Sequence, residues 1–93
     1  PYYFLKRYLE RKNGSDLNQQ SQGFLFEPIG ANYTGYLPLN RFPLEEIIPT
    51  ENDQLYRKQL IQGYVHDQGA AMLGGIGGHS GVFSNANDLA KII

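Results

Sequence analysis

The stretch Val65–Ile93, VHDQGAAMLGGIGGHSGVFSNANDLAKII, decides how this chain is read. Six of the chain's eleven glycines fall between Gly69 and Gly81, and both histidines, His66 and His79, lie inside or just before that cluster. Glycine loses more conformational freedom on folding than any other residue, so a dense run marks backbone that turns sharply or approaches something closely. The run stops at Ser84-Asn85-Ala86-Asn87-Asp88-Leu89, which reads as an N-cap and a helix starting near Ser84. A glycine-rich loop over 69–83 feeding a capped helix has the form of a pocket rim. Asp67 stands where it caps a single helical turn through Leu73.

Upstream, Tyr2–Lys12 places Phe4/Tyr8 and Leu5/Leu9 at i, i+4, with Lys6, Arg7, Glu10, Arg11 and Lys12 on the other faces. That spacing predicts an amphipathic helix over 2–12, stopped by Asn13-Gly14, with its aromatics toward a core and its charges toward water. Ser15 or Asp16 caps a second helix over 16–26, which Gly23 weakens and Pro28 ends. Ala31–Leu37 has the make-up of a short strand, favoured by Tyr33 and Thr34 and opposed by Gly35. Pro38, Pro43 and Pro49 then punctuate an irregular acidic segment. Leu55, Tyr56, Gln59, Leu60 and Gly63 fit a helical stripe, while Leu60–Val65 fits an extended run equally; extended backbone is the preferred reading of 58–65. The sum is a mainly α fold with irregular loops and little strand, residues 1–93 forming a single partial domain.

Composition narrows the function. At 93 residues the chain is one small domain at most, and 41% apolar residues make a thin core for a free-standing protein. The absence of cysteine excludes a disulfide framework and a thiolate zinc site. A net charge of −1 gives no global field for nucleic acid, and no apolar run is long enough for membrane insertion. Pro1 is not a natural start and the chain ends inside an apparent helix, so the expectation is a piece of something longer.

The chemical motifs are mostly near misses. Gly75-Ile76-Gly77-Gly78-His79-Ser80 has serine where a dinucleotide fingerprint needs its third glycine. Gly78-His79-Ser80-Gly81-Val82 has valine where a nucleophile elbow needs glycine, and no helix follows the serine directly. His66, Asp67 and His79 match no compact metal-ligand spacing, so no metal and no other cofactor is expected. His66 reads as structural, its ring bonded to backbone; His79, between glycines at a turn, is the better functional candidate. Lys6, Arg7, Arg11 and Lys12 read as a solvated helix face.

Val65–Ala90 closely resembles a segment of the serine β-lactamase-like family, which includes class C β-lactamases, DD-peptidases and related esterases and amidases. Its members often carry V-H-D-x-x-A-x-x-L-G-G-x-x-G-H-x-G-x-F-S-x-x-x-D-L-A. Phe26–Thr34 is similar to the family's F-x-P-L-G-M-x-x-T turn, and Ile48-Pro49-Thr50-Glu51 to its I-x-P-T-E stretch. The resemblance runs in family order over nearly the whole chain. The family's nucleophile is the serine of S-x-x-K, assisted by Y-x-N and a K/H-x-G strand. Here Ser15, Ser21, Ser80 and Ser84 are followed at +3 by Asn18, Phe24, Phe83 and Asn87, and no Y-x-N occurs. Lys12-Asn13-Gly14 and His79-Ser80-Gly81 match K/H-x-G only formally.

The resemblance therefore implies a catalytically incomplete part of the helical region of a serine hydrolase of β-lactamase, peptidase or esterase type. No catalytic residue is assigned, and the chain alone is expected to be inactive. His79 and Ser80 fall on the family's loop beside the acyl side chain and are the substrate-lining candidates. The implied partners are the remainder of the hydrolase domain or, for the chain alone, further copies of itself, and the implied location is periplasmic or exported. The rival from a different class is a small non-catalytic interaction module that binds a protein partner through its helical face.

Overall fold

The computed structural model describes residues 1–93. Helix α1 spans Tyr2–Asn13 and closes on Gly14, whose left-handed φ of 74° lets its amide bond Glu10 O at 3.0 Å. Asp16 caps α2, Leu17–Ser21, in a reciprocal capping box with Gln19. The helix does not break at Gly23 but widens into a π-helical turn, Gln22–Phe26, before Pro28 ends it. The buried Gln20 joins the first two helices, donating to Leu9 O and Ser15 O and accepting from Asn13. Two 3-10 turns, Pro38–Asn40 and Leu44–Glu46, lead into a β-hairpin of β1, Pro49–Asp53, and β2, Gln59–Gln62. The strands are antiparallel, with a register irregularity between Pro49 and Glu51. Short α3, Gln68–Met72, the glycine loop and α4, Ala86–Ile92, complete the chain.

The mainly α class expected from sequence is corrected by this hairpin. The molecule is mixed α/β with loops, 43% helical and 12% strand. Its assignment to the helical region of the serine β-lactamase/DD-peptidase fold falls with that class. Strand β1 was hidden because Glu51, Asn52 and Asp53 are poor strand formers. A local clamp holds it instead. Buried Asp53 accepts the amides of Leu55, Tyr56 and Arg57, and the Arg57 side chain donates to Asp53, Glu51, Val65 O and His66 O. The amide of Tyr56, then that of Arg57, holds the Asp53 carboxyl well below the ordinary carboxylate range.

Ala31–Leu37 does not form the expected strand. Leu37 is left-handed at φ 49° ahead of Pro38, and only Gly35 pairs, in a two-way backbone bridge with Phe83. Beside that bridge lies the most buried carboxylate of the fold. Asp88, 1% exposed, accepts from the Tyr33 amide at 2.7 Å and from the Thr34 hydroxyl at 2.8 Å. Thr34 Oγ1 also lies 2.8 Å from Ser84 Oγ. The N-cap of α4 is accordingly Asn85, which accepts the Asp88 amide, while Ser84 is spent on Thr34. Tyr36, buried next to this cluster, donates its hydroxyl to Gly77 O at 2.8 Å.

The core does not reach α1. No residue of that helix is buried, and Phe4 is 83% exposed; the stripe expected to face a core stands open. Phe24 of the π-helical turn is 76% exposed as well. The radius of gyration is 13.7 Å, against about 12 Å for a compact domain of this length.

Asp88→Ala strands the Tyr33 amide and Thr34 hydroxyl, and should cost about 3 kcal/mol in urea unfolding, with Asp88→Asn costing less. Asp53 has a lowered folded pKa, so its contribution is present above its unfolded value of about 3.9 and is lost as pH falls below it. Protection factors across Pro49–Gln62, taken relative to intrinsic exchange at each pH, should therefore fall below about pH 4, and Asp53→Asn should abolish that acid dependence. Burial raises the Tyr36 pKa, so its contribution is complete below about pH 10 and is lost as pH climbs through the raised value. Tyr36→Phe should remove this alkaline component from a pH series of unfolding midpoints.

Candidate functional site

The glycine loop takes its shape from contacts that no side chain could share. A Cβ on Gly75, left-handed at φ 85°, would fall 2.8 Å from Leu37 Cδ2, and one on Gly81, φ 118°, would fall 2.6 Å from Gly75 O. The loop is thus folded on itself and on the Tyr36–Leu37 segment, and it carries His79 at its outer bend.

His79 is held on two sides. Its Nε2 lies 2.9 Å from Asp67 Oδ2, the oxygen that also accepts the Ala70 amide at 2.8 Å as the N-cap of α3. The Tyr3 ring meets the imidazole edge-on, with centroids 5.4 Å apart, and Tyr2 lies tilted at 6.2 Å. Pro1, Tyr2, Tyr3 and His79 line a hollow of about 260 Å³, and the His79 ring is 23% exposed. The Asp67 carboxyl is held below its ordinary value, first by the Ala70 amide and then by the His79 hydrogen bond. An aspartate read from sequence as a helix cap therefore serves as the partner of His79 as well. Its position twelve residues away, across the glycine run, hid the pairing.

Of the two substrate-lining candidates, His79 stands on the wall of this hollow. Ser80 follows it on the loop, half-buried, with its carbonyl accepting the Gly77 amide; its hydroxyl does not line the hollow. The expected backbone-bonded role of His66 is corrected: its ring is 72% exposed and Nδ1 lies 2.9 Å from Glu51 Oε1. No cluster of three His, Asp or Glu side chains is arranged to hold a metal ion. No helix is long and apolar enough to cross a membrane.

Sequence reasoning missed a second concavity. An apolar cleft of about 510 Å³ runs between the stacked rings of Tyr33 and Phe42, Ile47, Ile48 and Phe83, with Ser84 at its polar side. Its walls come from separated segments, which the contacts of Tyr33 and Thr34 with Ser84 and Asp88, the Gly35–Phe83 bridge and the Arg41 hydrogen bonds to Asn32 O and Thr34 O bring together.

No protein-family model matches the chain, and no solved structure matches it significantly. Curated proteins do. The chain is 30% identical over a 104-position alignment to an N-acetylmuramyl-L-alanine amidase of Bacillus subtilis (strain 168). It is 30% identical, over an alignment of the same length, to a putative D-alanyl-D-alanine carboxypeptidase of Escherichia coli (strain K12). A putative D-alanyl-D-alanine carboxypeptidase of Salmonella newport (strain SL254) matches at 28%. Each alignment takes in 99% of this chain and 24% of the relative, so the chain spans about a quarter of the length of the curated relatives it matches. Over 99% of its length, the chain is similar to segments of an amidase and of putative carboxypeptidases.

Proposed function

We propose that this chain forms part of the substrate-pocket wall of a cell-wall hydrolase acting on the peptide stems of peptidoglycan. The similarity to an amidase and to a D-alanyl-D-alanine carboxypeptidase over 99% of the chain carries this reading. The finer assignment is serine acyl transfer of the β-lactamase-like type, in which a serine forms an acyl-enzyme that water then hydrolyses. The phrase Val65–Ala90 supports it. The chain has no S-x-x-K and no Y-x-N, so nucleophile and base come from elsewhere in the hydrolase, which is placed in the periplasm or outside the cell with its substrate.

In this reading His79 and Ser80 contribute wall rather than chemistry. A ring braced by Tyr2 and Tyr3 and fixed by Asp67 offers a rigid polar contact to a peptide or sugar. The exposed Phe4, Leu5, Tyr8 and Phe24 pack against the remainder of the hydrolase; each large apolar side chain so covered contributes roughly 2 kcal/mol. Deprived of that cover, the chain alone associates with itself.

The chain alone should hydrolyse neither D-alanyl-D-alanine peptides nor N-acetylmuramyl-L-alanine. In a longer polypeptide carrying this segment with an S-x-x-K serine, His79→Ala should lower kcat/KM on one of those substrates by about tenfold, the loss of one polar contact; unchanged kinetics on both would remove His79 from the pocket. Sedimentation should show the isolated chain associating, and Phe4→Glu weakening that association. A stable monomer with a sharp thermal transition would instead favour an independent interaction module.

A further inference from the structure

The two ring nitrogens of His79 stand in unlike surroundings. Nε2 faces Asp67 Oδ2 at 2.9 Å, while Nδ1 has no hydrogen-bond partner in the chain. A carboxylate can only accept, so in the neutral ring the proton of the Asp67 contact sits on Nε2. Nδ1 then carries the lone pair. The hydroxyl of Tyr3 lies against Gly69, where a Cβ would come within 2.5 Å of it, so the tyrosine that braces the ring is itself seated on α3. Asp67, the first turn of α3 and Tyr3 form one support around the imidazole.

We propose that Asp67 is a positioning residue that sets His79 as a hydrogen-bond acceptor at Nδ1, for a hydroxyl or amide N–H of the bound substrate. The assignment rests on the cell-wall substrate reading above and adds to it the polarity of the contact. The ligand group at this point of the wall is a donor, as the hydroxyls of an amino sugar and the N–H groups of a peptide stem are. A carboxylate carries only acceptors and would be turned away by the neutral ring. Asp67 performs this without touching the ligand. The orientation costs the fold little, because the same oxygen is already committed to capping α3.

The test is the tautomer of His79, read by nitrogen NMR of the ¹⁵N-histidine-labelled chain above neutral pH, with His66→Gln leaving one histidine signal. The expected state carries the proton on Nε2. Asp67→Asn keeps a side chain that caps helices well but can turn a donor toward Nε2, so it should depopulate that tautomer while α3 persists. Asp67→Ser, which also caps, should do the same if the asparagine variant does not fold. N-acetylmuramyl-L-alanine as probe should move the Nδ1 resonance of the wild-type ring, and should bind Asp67→Asn about tenfold more weakly, the loss of one oriented hydrogen bond. A wild-type ring protonated on Nδ1, or a tautomer unchanged in both Asp67 variants, overturns the positioning role. An Nε2 tautomer that depends on Asp67 but does not respond to the probe supports that role and overturns the cell-wall substrate.

Discussion

The Asp88 carboxylate accepts the Thr34 hydroxyl and the Tyr33 amide across more than fifty residues of chain, and most of the tertiary structure hangs from that contact. It draws the start of α4 against the 31–36 segment. In doing so it sets the Gly35–Phe83 bridge in register and lays Tyr36 under the glycine loop. Thr34 and Asp88 are the largest side chains that are fully buried. A polar pair at the centre of so small a core is sustained because every donor and acceptor in it is matched: the structure has no buried side-chain nitrogen or oxygen without a partner. The Lys91 ammonium extends the same network by bonding Gly30 O beside it.

The hairpin obeys the same rule on a smaller scale. Asp53 satisfies three consecutive amides of the connecting loop, and one guanidinium gathers Asp53, Glu51 and two carbonyls just before α3. The polar clamp aims the chain at Asp67, so the hairpin decides where α3 begins, and α3 through its cap decides where His79 stands. The apolar surfaces do the opposite. They remain open on α1 and at Phe24 and Leu25 of the π-helical turn.

Much of the local structure around the glycine loop could be seen in the residues themselves. The glycine density announced a tightly folded loop, and Gly75 and Gly81 lie where a Cβ has no room. Asp67 as the cap of α3 and a helix starting at Tyr2 also follow from local chemistry, whereas Gln59–Gln62 fitted a helical stripe and extended backbone alike before the hairpin decided it. What stayed hidden was every pairing across distance: Asp67 with His79, Glu51 with His66, and the walls of the cleft between Phe42 and Phe83. No periodicity encodes them, because side chains so far apart in sequence meet only when the loops between them are folded.

By itself, the sequence determined where backbone turns, stops and is capped, since those outcomes depend on glycine, proline and side-chain oxygens within a few residues. It also settled that no S-x-x-K serine lies in this chain. Tertiary structure alone decided that Glu51–Asp53 is strand rather than loop, that the helix cap is Asn85 because Ser84 serves Thr34, and that the apolar stripe of α1 is left uncovered. Each of those turns on a partner brought from far along the chain. Strand, cap and burial are relations between segments, and a local pattern states only which relations a segment can accept.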